Sequence, residues 1–118
     1  GASDVSSAVQ FARASNLLNE VVEKYPNHPT AYPDALNMLG EVYFRSKQYL
    51  SARRVFKQIV DKGSETRFAQ YQASALGRLV DIELSLKELN ELVQRGEQCI
   101  SVLDTGETEW RDVPEVEE

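Results

Sequence analysis

The strongest constraint on this 118-residue chain is that it resembles itself. Shifted by 38 residues, Phe11, Ala14, Leu18, Val21, Val22, Glu23 and Lys24 fall on Tyr49, Ala52, Phe56, Ile59, Val60, Asp61 and Lys62. Shifted by 37, Leu39-Gly40 falls on Leu76-Gly77 and Tyr43 on Val80. Periods of this length belong to units that cannot cover their own apolar face and must stack on a neighbour. Within each unit the apolar residues recur three and four apart, the stripe of an amphipathic helix. The expected class is therefore all-α, with no credible strand anywhere.

Punctuation divides the chain into five expected helices, at about 5–24, 33–46, 48–62, 66–84 and 86–103. The first carries Phe11, Ala14, Leu18, Val21 and Val22, and stops at Tyr25-Pro26-Asn27-His28-Pro29, where two prolines remove donors and restrict their neighbours. Pro33 suits the first turn of the second, whose apolar face is Leu36, Leu39, Gly40 and Tyr43. The third carries Tyr49, Ala52, Val55, Phe56, Ile59 and Val60 and closes at Lys62-Gly63-Ser64. The very short link between the second and third forces them antiparallel. Beyond Glu65 two stripes follow: Ala69, Ala73, Leu76, Leu79, Val80 and Ile82, then Leu86, Leu89, Leu92, Val93, Gly96, Cys99, Ile100 and Leu103. No glycine or proline interrupts Leu84-Ser85-Leu86-Lys87, so a turn there is placed by analogy, and one continuous helix is the alternative.

Leu36-x2-Leu39-Gly40-x2-Tyr43 followed by Ala52-x3-Phe56 resembles the tetratricopeptide repeat, with Leu36 in place of its tryptophan. The small residues have a physical purpose, since Gly40 and Ala52 let two helices approach while Tyr43 and Phe56 fill the wider gaps. The next unit keeps Ala73, Leu76, Gly77 and Val80 but has Leu89 and Val93 where alanine and phenylalanine belong. The likeness covers residues 5–100, most clearly 35–60. It implies tetratricopeptide-like helical hairpins forming a short right-handed superhelix, an α-solenoid. The opening helix matches the second helix of a repeat, as in a fragment of a longer array. The link Glu23-Lys24-Tyr25-Pro26-Asn27-His28-Pro29 with Asp34-Ala35-Leu36 is similar to the repeats of bacterial outer-membrane-assembly lipoproteins and of the periplasmic factor associated with the Tol-Pal system. That branch implies a scaffold in the bacterial periplasm or envelope; a cytoplasmic location is the alternative.

Charge narrows the partners. Of the net −6, residues 107–118 hold −5, leaving the rest nearly neutral. Such a body has no broad positive field, which argues against nucleic-acid binding. No apolar run reaches the ~18 residues of a membrane span, so direct membrane insertion is not expected. Residues 1–4 read as a cloning scar or a disordered start, and a targeting segment preceding them can be missing. Residues 104–118 read as an acidic tail in which Trp110 is the anomaly, expected to cap the last helix or to anchor an interaction. Arg45, Lys47, Arg53, Arg54, Lys57, Lys62 and Arg67 form a basic stretch, read as a solvated helix face or, alternatively, a surface for an acidic partner.

Chemistry is sparse. His28 is the single histidine, in an expected loop, where a solvated role is the default. Cys99 lies on an apolar stripe without a basic neighbour to lower its pKa, and is expected as a buried, inert thiol. There is no paired Cys/His spacing for a metal and no phosphate-binding glycine loop. The expectation is a protein that is not an enzyme and needs no cofactor.

Binding has more to draw on. In tetratricopeptide folds the first helix of each pair lines a concave groove, and the resemblance assigns Asp34, Asn37, Glu41, Phe44 and Arg45, then Tyr71, Ser74, Arg78 and Asp81, to it. Each is equally the polar face of an ordinary helix. Phe44, Tyr71, Arg45 and Arg78 are the types that form hot spots. Glu41 stands where a carboxylate clamp needs a neutral or basic group, so the chaperone-binding subclass is rejected. The expected function is protein–protein interaction, binding a partner protein or peptide through the concave face. The alternative is a self-assembly element stacking through exposed repeat ends, and a third class is a regulatory domain fused to an enzyme.

Overall fold

The computed structural model describes the backbone of residues 2–105 and the side chains of residues 6–103. Four α-helices follow in order: α1 (Ala2–Lys24), α2 (Ala31–Arg45), α3 (Tyr49–Asp61) and α4 (Gln72–Thr105), with a 3-10 segment at Thr66–Tyr71 leading into α4. No strand occurs among the described residues. The chain divides into two units, residues 1–84 and 85–118.

Sequence explains each boundary. Pro26 and Pro29 lie between α1 and α2, as the missing donors require. The start of α2 has no hydrogen bond from the Thr30 side chain; His28 Nδ1 instead accepts from the backbone N–H of Ala31 at 2.9 Å and of Thr30 at 3.3 Å. His28 is exposed, yet it caps a helix, satisfying donors that the first turn leaves unpaired. Between α2 and α3, Lys47 takes the left-handed conformation (φ 62°), and Gln48 N–H reaches back to the Tyr43 carbonyl at 2.8 Å. This reversal brings α3 back along α2 in three residues.

Helices α2 and α3 meet most closely at Gly40. A methyl group on that residue would stand 2.7 Å from Phe56 Cζ, nearer than real side chains pack. Around that point Leu36, Leu39, Ala52, Val55, Phe56 and Ile59 are buried. Helix α1 lies on the other side of α2, with Asn19 Nδ2 donating to Tyr43 Oη at 3.2 Å. An aromatic contact joins the start of α2 to the 3-10 segment: Tyr32 and Phe68 meet edge to face at 5.8 Å, and the Arg67 guanidinium lies over both rings, 5.0 and 5.3 Å from their centres. Gln72 Nε2 donates to the Ile59 carbonyl at 2.7 Å, pinning the start of α4 to the end of α3.

Two expectations need correction. The turn at residues 84–87 does not form: α4 is one helix of 34 residues, so there are four α-helices rather than five. Leu84, Leu86 and Lys87 are good helix formers, and nothing nearby breaks the ladder. The other concerns Cys99, which is exposed rather than buried. Around it in the second unit Leu89, Leu92, Val93, Ile100 and Leu103 are exposed as well. Residues 106–118, including Trp110 and most of the acidic tail, lie outside the described residues.

The continuous α4 also changes what Gly77 does. It stands 37 residues after Gly40, but a Cβ there would meet nothing within 4 Å. Leu76 and Val80 beside it are 52% and 60% exposed. The buried stripe of this half of α4 is instead Ala75 and Ile82, both 0% exposed. The stripe read from the sequence held Ile82 but left out Ala75, and its Ala69, Ala73, Leu76 and Val80 are exposed.

These contrasts are testable by thermal unfolding. Gly40→Ala should cost about 1–3 kcal/mol, because the fully buried Phe56 ring has no room to retreat. Gly77→Ala should be neutral or stabilising by up to about 1 kcal/mol, since helix propensity alone acts. Equal effects at the two glycines would contradict the packing described. His28→Ala should cost about 1 kcal/mol through the lost cap, read as a melting point several degrees lower.

Candidate functional site

Several of the residues assigned to a groove by resemblance are linked by side chains that reach from α2 to the 3-10 segment and to the first turns of α4. Tyr71 Oη donates to Asp34 Oδ1, and Arg78 Nε donates to Glu41 Oε1 at 3.0 Å. Both bonds join residues 37 apart in sequence. Each pair advances seven residues, two helical turns, in the same direction on both partners. The two pairs thus follow the same chain direction, and at these two positions the 37-residue offset found in the sequence joins spatial neighbours. By the same offset Asn37 corresponds to Ser74 and Phe44 to Asp81.

Arg78 is the centre of this seam. Its Nη1 lies 3.5 Å from Asp81 Oδ2, and its guanidinium lies over the Phe44 ring, 4.3 Å from the centre. Phe44 in turn meets Tyr49 of α3 edge to face at 5.8 Å. Hydrogen bonding to Glu41, opposed by burial and helped by the charges of Glu41 and Asp81, pushes the Arg78 pKa further up. Glu41 Oε2 is buried without a hydrogen-bond partner among the described residues. Loss of Arg78 would leave that carboxylate with neither charge nor donor opposite it.

Tyr71 is held in its neutral form. The hydrogen bond to Asp34, then burial, then the carboxylate charge raise its pKa from 10.0 to about 12. Ser74 Oγ donates to the Tyr71 carbonyl at 3.2 Å. Asn37 is half-buried and Arg45 exposed, and neither joins these bonds. Thus Asp34, Glu41, Phe44, Tyr71, Ser74, Arg78 and Asp81 are brought together, partly by bonding one another, while Arg45 stands apart. Trp110 lies outside the described residues.

The basic stretch divides in the structure. Arg67 donates to the His28 carbonyl at 2.9 Å and pairs with Glu65 at 3.0 Å. Lys62 lies 5.9 Å from the centre of the Tyr32 ring, and Arg53 pairs with Glu83 at 3.1 Å. Arg45, Lys47, Arg54 and Lys57 remain exposed. Sequence reasoning missed the structural roles of Arg67, Gln72 and His28. The signal was Tyr32 and Phe68, two large aromatics placed at the edges of expected loops, which needed something to pack on.

Two further facts bound the chemistry. Among the described residues no three His, Cys, Asp or Glu side chains gather in a way that would hold a metal ion. No described helix is long and apolar enough to cross a membrane.

The Asp34–Tyr71 bond gives a pH-dependent expectation. A raised pKa means that the stabilisation is fully present below the ordinary phenol pKa of 10.0 and is lost as pH rises through about 12. The stability gap between the wild type and Tyr71→Phe should stay constant below pH 10 and close on approaching pH 12. In absorbance titration Asp34→Asn should bring one late tyrosinate back to lower pH. An unchanged titration curve would mean that the bond does not form in solution.

No family model, curated protein or solved structure matches this chain.

Proposed function

We propose that this chain is a protein–protein interaction scaffold of tetratricopeptide-like helical pairs, arranged as a short right-handed superhelix. It binds a partner protein or peptide through the face shared by α2 and the start of α4, carries out no catalysis and uses no cofactor. The observation that carries the reading is the pair of side-chain bonds, Tyr71–Asp34 and Arg78–Glu41, each joining residues 37 apart and linking α2 to the 3-10 segment and the start of α4. Two like helices held side by side make a continuous strip from one repeat unit to the next. Along that strip the internal bonds fix Phe44, Tyr71 and Arg78, so a partner meets groups already ordered.

The chemistry of the strip favours one kind of partner. Asp34, Glu41 and Asp81 outnumber Arg78, and the carboxylates offer more acceptors than the seam itself uses. A segment rich in hydrogen-bond donors, amide or basic, fits this surface better than an acidic one. Membership of a bacterial envelope assembly is part of the proposal and rests on the Tyr25-Pro26-Asn27-His28-Pro29 link.

Asn37→Arg with Ser74→Arg tests the face without touching the seam bonds between side chains. Selection of peptides from a random library against the wild type should yield binders enriched in donors. Their affinity for the double variant should fall tenfold or more, about 1.4 kcal/mol, while its melting point stays near wild type. Binders that ignore the double variant would place recognition elsewhere and defeat the proposal.

A further inference from the structure

Helix α3 buries one face completely: Ala52, Val55, Phe56 and Ile59 are 0–3% exposed. The 38-residue shift carries these positions to Ala14, Leu17, Leu18 and Val21 of α1. There Leu17 is 63% exposed, and the other three are only half-buried. Among the described residues, this face of α1 is only partly covered.

The opposite end shows the complementary vacancy. Leu39 is 3% exposed and Gly40 receives Phe56, because α3 covers that face of α2. The 37-residue shift leads to Leu76, 52% exposed, and to Gly77, whose surroundings are open. Val80 and Leu84, 60% and 57% exposed, continue the same face along α4. Among the described residues, no helix covers this face of α4.

We propose that the two vacancies fill each other between copies. Helix α1 of one molecule packs antiparallel on the Leu76–Gly77–Val80–Leu84 face of α4 in another, as α3 packs on α2 within a molecule. The internal α2–α3 pair supplies the template: Leu18 takes the place of Phe56 over Gly77, and the antiparallel run sets Phe11 near Leu84. A second copy is the occupant because this chain itself carries both the vacant face and a helix of the matching repeat position. The contact is heterologous, so each molecule keeps one free end of each kind and assembly continues head to tail. The apolar surface involved is small for a specific interface, so association is weak and concentration-dependent.

The intact 118-residue chain is the material for the test, in sedimentation velocity from roughly micromolar to roughly millimolar concentration. The weight-average mass is expected to climb from 13.3 kDa without levelling at a dimer. Leu17→Asp removes the α1 end and Val80→Asp the α4 end, both at exposed positions, so each variant alone should stay monomeric. An equimolar mixture retains one intact pair of ends and should form a one-to-one dimer and nothing larger. Circular dichroism checks that both keep the wild-type helix signal; if an aspartate lowers it, Leu17→Gln and Val80→Gln replace the pair. A wild type that stays monomeric throughout overturns the proposal. So does assembly that survives either single variant, or a mixture that remains monomeric while the wild type assembles. Peptide binding at the Asn37–Ser74 face is read separately, so failure of one proposal leaves the other standing.

Discussion

The ring of Phe56 rests against the backbone of Gly40, and this contact sets the geometry of the rest of residues 1–84. Only a residue without a side chain allows α3 to approach α2 so closely, and only a flat ring fills the hollow that results. From that separation follows the burial of Leu36, Leu39, Val55 and Ile59, and from their burial the position of Ile59's carbonyl, which receives Gln72. The start of α4 is thereby aimed before any of its charged residues meets α2. The seam bonds then select a register in an arrangement that packing has already made. Exposed or half-exposed ion pairs such as Arg78–Glu41 and Arg53–Glu83 stabilise weakly by themselves, and choosing one register among several is the role they suit.

Much of this was legible in the sequence, for identifiable reasons. The glycine, the aromatic and their spacing encode one close contact, and the two prolines encode one loop. The 37-residue offset was visible as similarity, and its physical meaning turned out to be adjacency between Asp34 and Tyr71 and between Glu41 and Arg78. What the sequence did not separate was a packed face from a bare one. Leu76 and Val80 carry more hydrophobicity than Ala75, so side-chain character points to the face that is bare and passes over a small residue that the packed face buries. The contributions of the His28 and Arg67 side chains were hidden for a related reason: each acts on backbone atoms, and no apolar periodicity records that. The turn expected at residues 84–87 came from analogy, whereas propensity favoured the single helix that forms.

Arg78 illustrates how tightly one side chain binds several requirements together. Its guanidinium meets a carboxylate through Nε, approaches a second through Nη1 and covers an aromatic ring with its plane. A lysine would keep the charge but has no plane to lay on Phe44 and no fork to divide between two acids. The site therefore depends on the shape of the cation as much as on its sign.

Helix α4 changes character along its length, and this bears on how readily its backbone opens. Its first half is clamped by Gln72, Arg78 and the buried Ile82, so breaking its ladder means breaking tertiary structure as well. Leu89, Leu92 and Val93 are exposed, and around them the ladder rests on local propensity and on the cooperativity of a single helix. Amide protons should therefore exchange with solvent deuterium more slowly near Ile82 than around Leu89 to Val93. A helix uniform by geometry is in this way graded in free energy along its length.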